Sequence, residues 1–173
     1  MPRPSIEQLR NIGDAATVYQ WNLNFITFPS AVVSPAAGDL NLRCLSTTTP
    51  NKATEKQELS IRGHKIYQPG VAMYGNELTL TFVETVDNKV ATMLANWHEA
   101  CVATNSGAHK TRNEVQCNIQ IERLNRQDSP IWGYTLLGCF LLNYNHGDLS
   151  DMNDQVKPTV TINFDYFKEA PLG

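Results

Sequence analysis

The sequence predicts a mainly β protein, an antiparallel sandwich or barrel of about seven strands with one α-helix packed against it. Three observations carry that prediction. Apolar and polar residues alternate with period two in one segment after another, which is the pattern of a half-buried strand. Only one long stretch has its apolar residues in a stripe at helical spacing. Turn-forming Pro, Gly, Asn and Asp residues separate the alternating stretches.

Taken in order, residues 5–13 (SIEQLRNIG) read as a short helix, with Ser5 as its candidate cap and Gly13 as its stop. Tyr19, Trp21, Leu23 and Phe25 then alternate with Gln20, Asn22 and Asn24, giving a first strand. Residues 29–38, rich in Pro, Ser and Ala, are a loop. A second strand is predicted over 40–47 (LNLRCLST), ending at the polar run TTTPNK. The segment 55–67 is strand-like, with Leu59, Ile61 and Gly63 on one face and Glu58, Ser60, Arg62 and His64 on the other. Turn signals follow at Pro69-Gly70 and Gly75-Asn76. Leu78, Leu80 and Phe82 alternate with Thr79 and Thr81, predicting a strand over 77–85.

The one long helix is predicted over 88–103, with Asp87 as its N-cap. Val90, Met93, Leu94 and Trp97, continued by Cys101, fall on a single stripe, which we read as the core-facing side of the helix. A polar loop over 104–113 follows. Val115, Cys117, Ile119 and Ile121 alternate with Gln116, Asn118, Gln120 and Glu122 as the next strand. After a turn at 127–130 comes the strand 131–144, whose centre, LLGCFLL, is apolar on both faces. Such a strand lies between two layers or between subunits. Residues 147–155 are loop, and Val160, Ile162, Phe164 and Tyr166 alternate with Thr159, Thr161, Asn163 and Asp165 as the closing strand.

We read the 173 residues as one domain, 1–173, with 1–17 as an N-terminal extension bearing the short helix and 168–173 as a C-terminal tail. No internal repeat and no domain boundary is visible. Hydrophobic residues make up 42% of the chain, enough for a core, while charged residues make up only 18%, against ~25% in typical soluble domains. A surface poor in charge is often one that copies of the same chain cover. The net charge of −3 disfavours a protein built to hold nucleic-acid phosphates, which needs clustered Lys and Arg. No apolar run is long enough for a transmembrane helix, and MPRPSIEQLRN lacks the apolar core of a signal peptide.

The chemistry of a catalytic site is missing from the sequence. There is no GxSxG elbow, no HExxH, no Walker loop and no GxGxxG. Cys44, Cys101, Cys117 and Cys139 include no CxxC pair and read as reduced, small hydrophobes, the sharper alternative being cross-links between subunits in an oxidising medium. His98 and Cys101 stand at i, i+3 on the helix, without a second ligand pair to complete a metal site. His64 and His146 sit beside turn glycines, and His109 lies in the polar loop. Asp148, Asp151 and Asp154 lack the alternate spacing of a calcium loop and read as a solvated turn. Arg62-Gly63-His64-Lys65, the densest basic cluster, is better explained by ion pairs with Glu55 and Glu58, or across subunits, than by phosphate binding. We therefore expect no catalytic residue, no cofactor and no metal. A small β-barrel enzyme or ligand binder would instead need a pocket with convergent polar groups.

Six segments in order resemble the tail tube protein of contractile-tailed bacteriophages, a family related in fold to the tube proteins of type VI secretion systems. They are LRCLSTTTP (42–50), the IRG-containing strand and its turn (61–75), LTLTFVETVDNKVATMLANWHEAC (78–101), IQIERLNR (119–126), YTLLGCF (134–140) and TVTINFDYF (159–167). The resemblance covers roughly residues 18–167. The PRPSIEQLRN leader, the loop at 29–38 and the EAPLG tail depart from it.

The resemblance implies a structural virion protein, not an enzyme. Its subunits form hexameric rings stacked head to tail, each contributing strands to one continuous intersubunit β-barrel around a lumen. It implies a conduit for genome (DNA) delivery, with the alternative of a baseplate tube-initiator or a secretion-system tube subunit of the same fold. The partners so implied are the chain itself, the tail sheath protein, baseplate and tail terminator proteins, and tape measure protein and DNA transiently in the lumen. Assembly in the bacterial host cytoplasm and residence in the virion tail, without membrane insertion, go with it. Placed on this frame, Gln116, Asn118, Gln120 and Glu122 are candidate lumen-facing residues, and Glu58, Ser60 and Arg62 similar candidates on the other hairpin. A neutral or acidic lumen would let DNA pass without holding it, so we expect Arg62 to be paired.

Overall fold

The computed structural model describes residues 5–11, 16–33, 38–151 and 153–172. Among these the elements are α1 (Ile6–Arg10), β1 (Trp21–Thr27), α2 (Asp39–Arg43), β2 (Cys44–Thr47), β3 (Lys52–Ile61), β4 (His64–Tyr74) and β5 (Glu77–Phe82). They continue as α3 (Lys89–Cys101), α4 (Arg112–Val115), β6 (Cys117–Leu124), β7 (Pro130–Asn145), β8 (Thr159–Asn163) and β9 (Tyr166–Pro171). The chain is mainly β and its pairings are antiparallel throughout.

The main sheet runs β1-β6-β7-β8-β5-β2, with β9 added on β7, and β3-β4 form a separate two-stranded ribbon. The long strand β7 belongs to two layers. Its residues 132–137 pair with β9, and its residues 140–145 pair with β8. The change of partner falls at Gly138, whose φ of 69° is a left-handed conformation that a side chain makes costly. Both layers close on one core. Leu23, Ile119, Ile121 and Leu136 come from one, and Leu78, Leu80, Phe82, Val160 and Ile162 from the other. This explains why the centre of β7 is apolar on both faces: it is where the layers meet.

Helix α3 covers this core as its stripe predicts, with Val90, Met93, Leu94 and Trp97 buried and Cys101 half-buried. The Trp97 indole N–H, which burial would otherwise orphan, donates to the Val115 carbonyl at 2.9 Å. Truncation of a buried residue of this kind typically costs ~3–5 kcal/mol. The start of the helix differs from the expectation. Asn88, with φ 49°, is the N-cap and makes no side-chain cap bond. The free N–H groups of Val90 and Ala91 donate to the Glu84 carboxylate, at 3.3 and 2.6 Å. Asp87 instead accepts from the Thr85 hydroxyl and pairs with Lys89 and Arg43.

Four other boundaries differ. Residues 40–43 are helix, not strand. Gly38 enters in the left-handed region, Arg43 pairs with Asp39 one turn back at 3.1 Å, and Asn41 Oδ1 accepts the Leu23 N–H of the β1 edge. The single strand expected over 55–67 is a hairpin that reverses at Arg62-Gly63, both with positive φ (47° and 82°), as a two-residue turn with the right twist requires. Pro69-Gly70 is no turn but lies within β4. Pro69 opposes Lys56 where the register shifts, at a bulge that spares the ladder the missing N–H. The closing strand is broken at Phe164-Asp165 into β8 and β9, so the chain beyond Phe167 continues as an edge strand through Pro171.

The polar loop after α3 ends in α4, capped reciprocally by Thr111 and Glu114. Gly13, the expected stop of the first helix, lies outside the described residues.

Candidate functional site

The features that drew attention as chemistry resolve into local structure. Among the described residues, His, Cys, Asp and Glu form no group of three able to hold a metal. His98 packs on Tyr144, which also meets His146 edge-on. Asp154 holds Lys157 and accepts the Gln155 N–H. The four cysteines are free, Cys117 and Cys139 buried and Cys44 and Cys101 half-buried. Cys117 and Cys139 stand opposite each other on β6 and β7, and burial, reinforced by that contact, pushes the Cys117 thiol well up. No helix among the described residues is long and apolar enough to cross a membrane. What remains are surfaces.

The first is the outer face of the sheet β1-β6-β7-β9. Register places Asn22, Glu122, Gly133 and Ala170 in one row across it, and Asn24, Gln120, Thr135 and Lys168 in the next. Glu122 and Lys168 are its only charged members in these rows. The sequence-predicted residues Gln120 and Glu122 therefore share one polar face. Asn118 is on the same strand, but its Oδ1 accepts the Gly138 N–H, so its amide serves the bend in β7. Gln116 precedes β6 and lies beside the Arg112 guanidinium. The lateral edges of this sheet are β1 and β9.

The second surface is the β3-β4 ribbon. Its two faces differ in kind. On one, Lys65 pairs with Glu58 at 2.8 Å and Lys56 lies 4.2 Å from the Tyr67 ring centroid, with Ser60 beside them. On the other, Leu59 opposes Ile66 and Ile61 opposes His64. Among the described residues nothing covers that apolar face; Ile61 is 53% exposed and Ile66 48%. Val71 and Met73 further along β4 are also exposed. A two-stranded ribbon alone is marginal in water, so an uncovered apolar face on one stands out.

The expected ion pair between the basic cluster and Glu58 is present through Lys65. Arg62 departs from expectation twice: it sits in the turn, off the face of Glu58 and Ser60, and among the described residues no ion pair holds it. Sequence reading placed Leu59 and Ile61 on one face but missed Ile66 across from them, because it ran one strand through the Arg62-Gly63 reversal. The available signal was a glycine turn between two alternating segments.

A family model described as phage tail tube protein matches residues 16–168. No curated protein sequence matches significantly. The fold is shared with a chain in the cryo-EM sheath–tube complex of an extracellular contractile injection system in its extended state. The TM-score there is 0.66 at 14% identity, covering 98% of this chain and 100% of the other. A chain in the tube-terminating cap of the anti-feeding prophage gives a TM-score of 0.68 at 11% identity, covering 92% of this chain and 93% of that one. Hcp1 from Flavobacterium johnsoniae gives 0.50 at 12% identity, covering 87% and 94%.

Proposed function

The chain belongs to the phage tail tube protein family, and on that premise we propose that it is the repeating, non-catalytic subunit of a tail tube. The observation that carries the reading is the uncovered apolar face of the β3-β4 ribbon, an element that needs a neighbour and finds none among the described residues. In this reading subunits join edge to edge into hexameric rings, β9 of one against β1 of the next. Such closure removes both open edges of the sheet. Rings then stack head to tail, a heterologous contact that does not close and so extends into a filament.

The polar face bearing Asn24, Gln120, Glu122 and Thr135 would line the lumen, with Gln116 and Asn118 at its margin. Its near-neutral charge suits passage of a polyanion, because few cations are present to hold phosphates. On the ribbon, Glu58 and Ser60 are candidates for the same lining, with Arg62 at the turn beyond them. The tube would conduct DNA into a host, with sheath, baseplate and terminator proteins around it and tape measure protein inside it before release. A tube initiator, or the tube of an injection or secretion system, is the second reading, favoured by the fold shared with the tube-bearing assemblies above.

Negative-stain microscopy of the purified chain tests the proposal. Long tubes with a central channel are expected. A monodisperse monomer at high concentration that fails to polymerise even with its baseplate or sheath present overturns it.

A further inference from the structure

A second apolar feature lies elsewhere on the same chain. Between the start of α3 and the segment 146–149 runs a groove of about 460 Å³, lined by Val86, Ala91, His146, Leu149 and Val156. Its lips are unusually bare: Val86 is 99% exposed and Leu149 86%. The carboxylate that reaches it, Glu84, is occupied by the N–H groups of α3. The groove is therefore a mostly apolar slot that no segment of the described chain fills.

The ribbon and the groove are complementary in charge as well as in polarity. The ribbon, residues 52–74, has four basic residues (Lys52, Lys56, Arg62, Lys65) against two acidic ones (Glu55, Glu58). It is thus net +2 in a chain of net −3, which leaves −5 on the rest. At the ribbon tip Arg62 has no ion pair among the described residues, and it adjoins Ile61. Beside the groove lip Asp148 adjoins Leu149, and neither it nor Asp151 has an ion-pair partner among the described residues, whereas Asp154 is taken by Lys157. An unpaired cation thus flanks the apolar tip, and unpaired anions flank the apolar slot.

We infer that the tip of the β3-β4 ribbon of one copy seats in the α3/146–149 groove of another copy. Ile61 and Ile66 lie between Val86 and Leu149, and Arg62 meets the carboxylates at 148 and 151. The contact joins two different patches, so it propagates and does not close into a pair. It rests on the tube-subunit reading and specifies which surface of the neighbour receives the ribbon.

The test is made on the full chain under tube-forming conditions. With p-benzoyl-phenylalanine at position 61, irradiation should give intersubunit cross-links that map to residues 84–91 or 146–149. Links to β1 or β9, or to a co-assembled sheath protein, overturn the assignment. Leu149→Asp and Arg62→Asp should each raise the concentration needed for tubes by at least about tenfold, the loss expected of an interface anchor. The charge-swapped double variant Arg62→Asp/Asp148→Arg should recover most of that loss. All three alter exposed side chains, and circular dichroism should show them folded. If Leu149→Asp assembles like the parent, the groove is not the receptor while the tube reading stands. If the parent itself never forms tubes, the tube reading fails with it.

Discussion

Gly138 and Asp165 occupy one small space at the point where β7 passes from one layer to the other. A Cβ on Gly138 would stand 2.8 Å from Asp165 Cγ, inside any real contact distance. Asp165 is held there from two sides: its N–H donates to the Leu137 carbonyl, and its carboxylate pairs with Arg112. The break between β8 and β9 and the bend in β7 are thus one event.

Gly138→Ala should destabilise the fold by at least about 2 kcal/mol, from the left-handed backbone and the displaced carboxylate together. Asp165→Ala alone should cost less than about 1 kcal/mol, because its ion pair is exposed. In the Asp165→Ala background the penalty of Gly138→Ala should shrink, which urea denaturation of the four proteins measures. Additive penalties would show that the two residues do not share the space.

The start of α3 depends on Glu84 and not on the acid nearest the helix. Glu84→Ala should cost about 1–2 kcal/mol, since it strips two helix N–H groups of their acceptor in a side chain only 7% exposed. Asp87→Ala should cost less. Thermal unfolding of the two variants gives the order, and the reverse order would restore Asp87 as the cap.

Several carboxylates make the fold acid-sensitive. The Thr85 hydroxyl, more than any other neighbour, lowers Asp87 to about 2, and the Thr104 and Thr111 hydroxyls lower Glu99 and Glu114. Lys157 lowers Asp154. Each folded value lies below the unfolded one, so the unfolded chain binds more protons as pH falls. The stability these groups contribute is complete above the ordinary carboxylate range and is lost as pH drops through the folded values, between about pH 4.5 and 2. Melting temperature should hold from pH 7 to 5 and fall below that, with a shallower fall in Glu114→Gln. A flat profile down to pH 2 would contradict this.

The thiols should be slow to react in the native chain. Burial pushes Cys44 to about 12, and it pushes Cys101 up and Cys117 further, so little thiolate exists at neutral pH. Titration with a thiol reagent at pH 7.5 should give full labelling of four cysteines only after denaturation. Fast native labelling of Cys117 or Cys139 would show that β6 and β7 open readily.

A cation placed on the polar sheet face should be harmless to folding. Gln120→Lys is expected within about 0.5 kcal/mol of the parent, because the position is partly open to solvent. In assembled tubes it should increase retention of DNA, read by filter binding. Unchanged retention would remove this face from the lumen.

Much of the fold was legible locally. Leu78, Leu80 and Phe82, and Ile119 and Ile121, announce their buried faces by alternation, and Val90, Met93, Leu94 and Trp97 announce theirs by helical spacing, because each pattern is complete within a few residues. The same alternation misled at Leu40 and Leu42, where Gly38 and the Asp39–Arg43 pair favour a helical turn that docks Asn41 on β1. It also ran through Phe164-Asp165, where period two continues unbroken but Gly138, distant in sequence, leaves room for only one arrangement. The polar side of β6 could be read from sequence. Whether each of its residues is free was decided by contacts: Asn118 is spent on the bend of β7, whereas Gln120 and Glu122 stay on the polar face of the sheet. Periodicity fixes which way a side chain points. Only packing across the chain decides what stands in front of it.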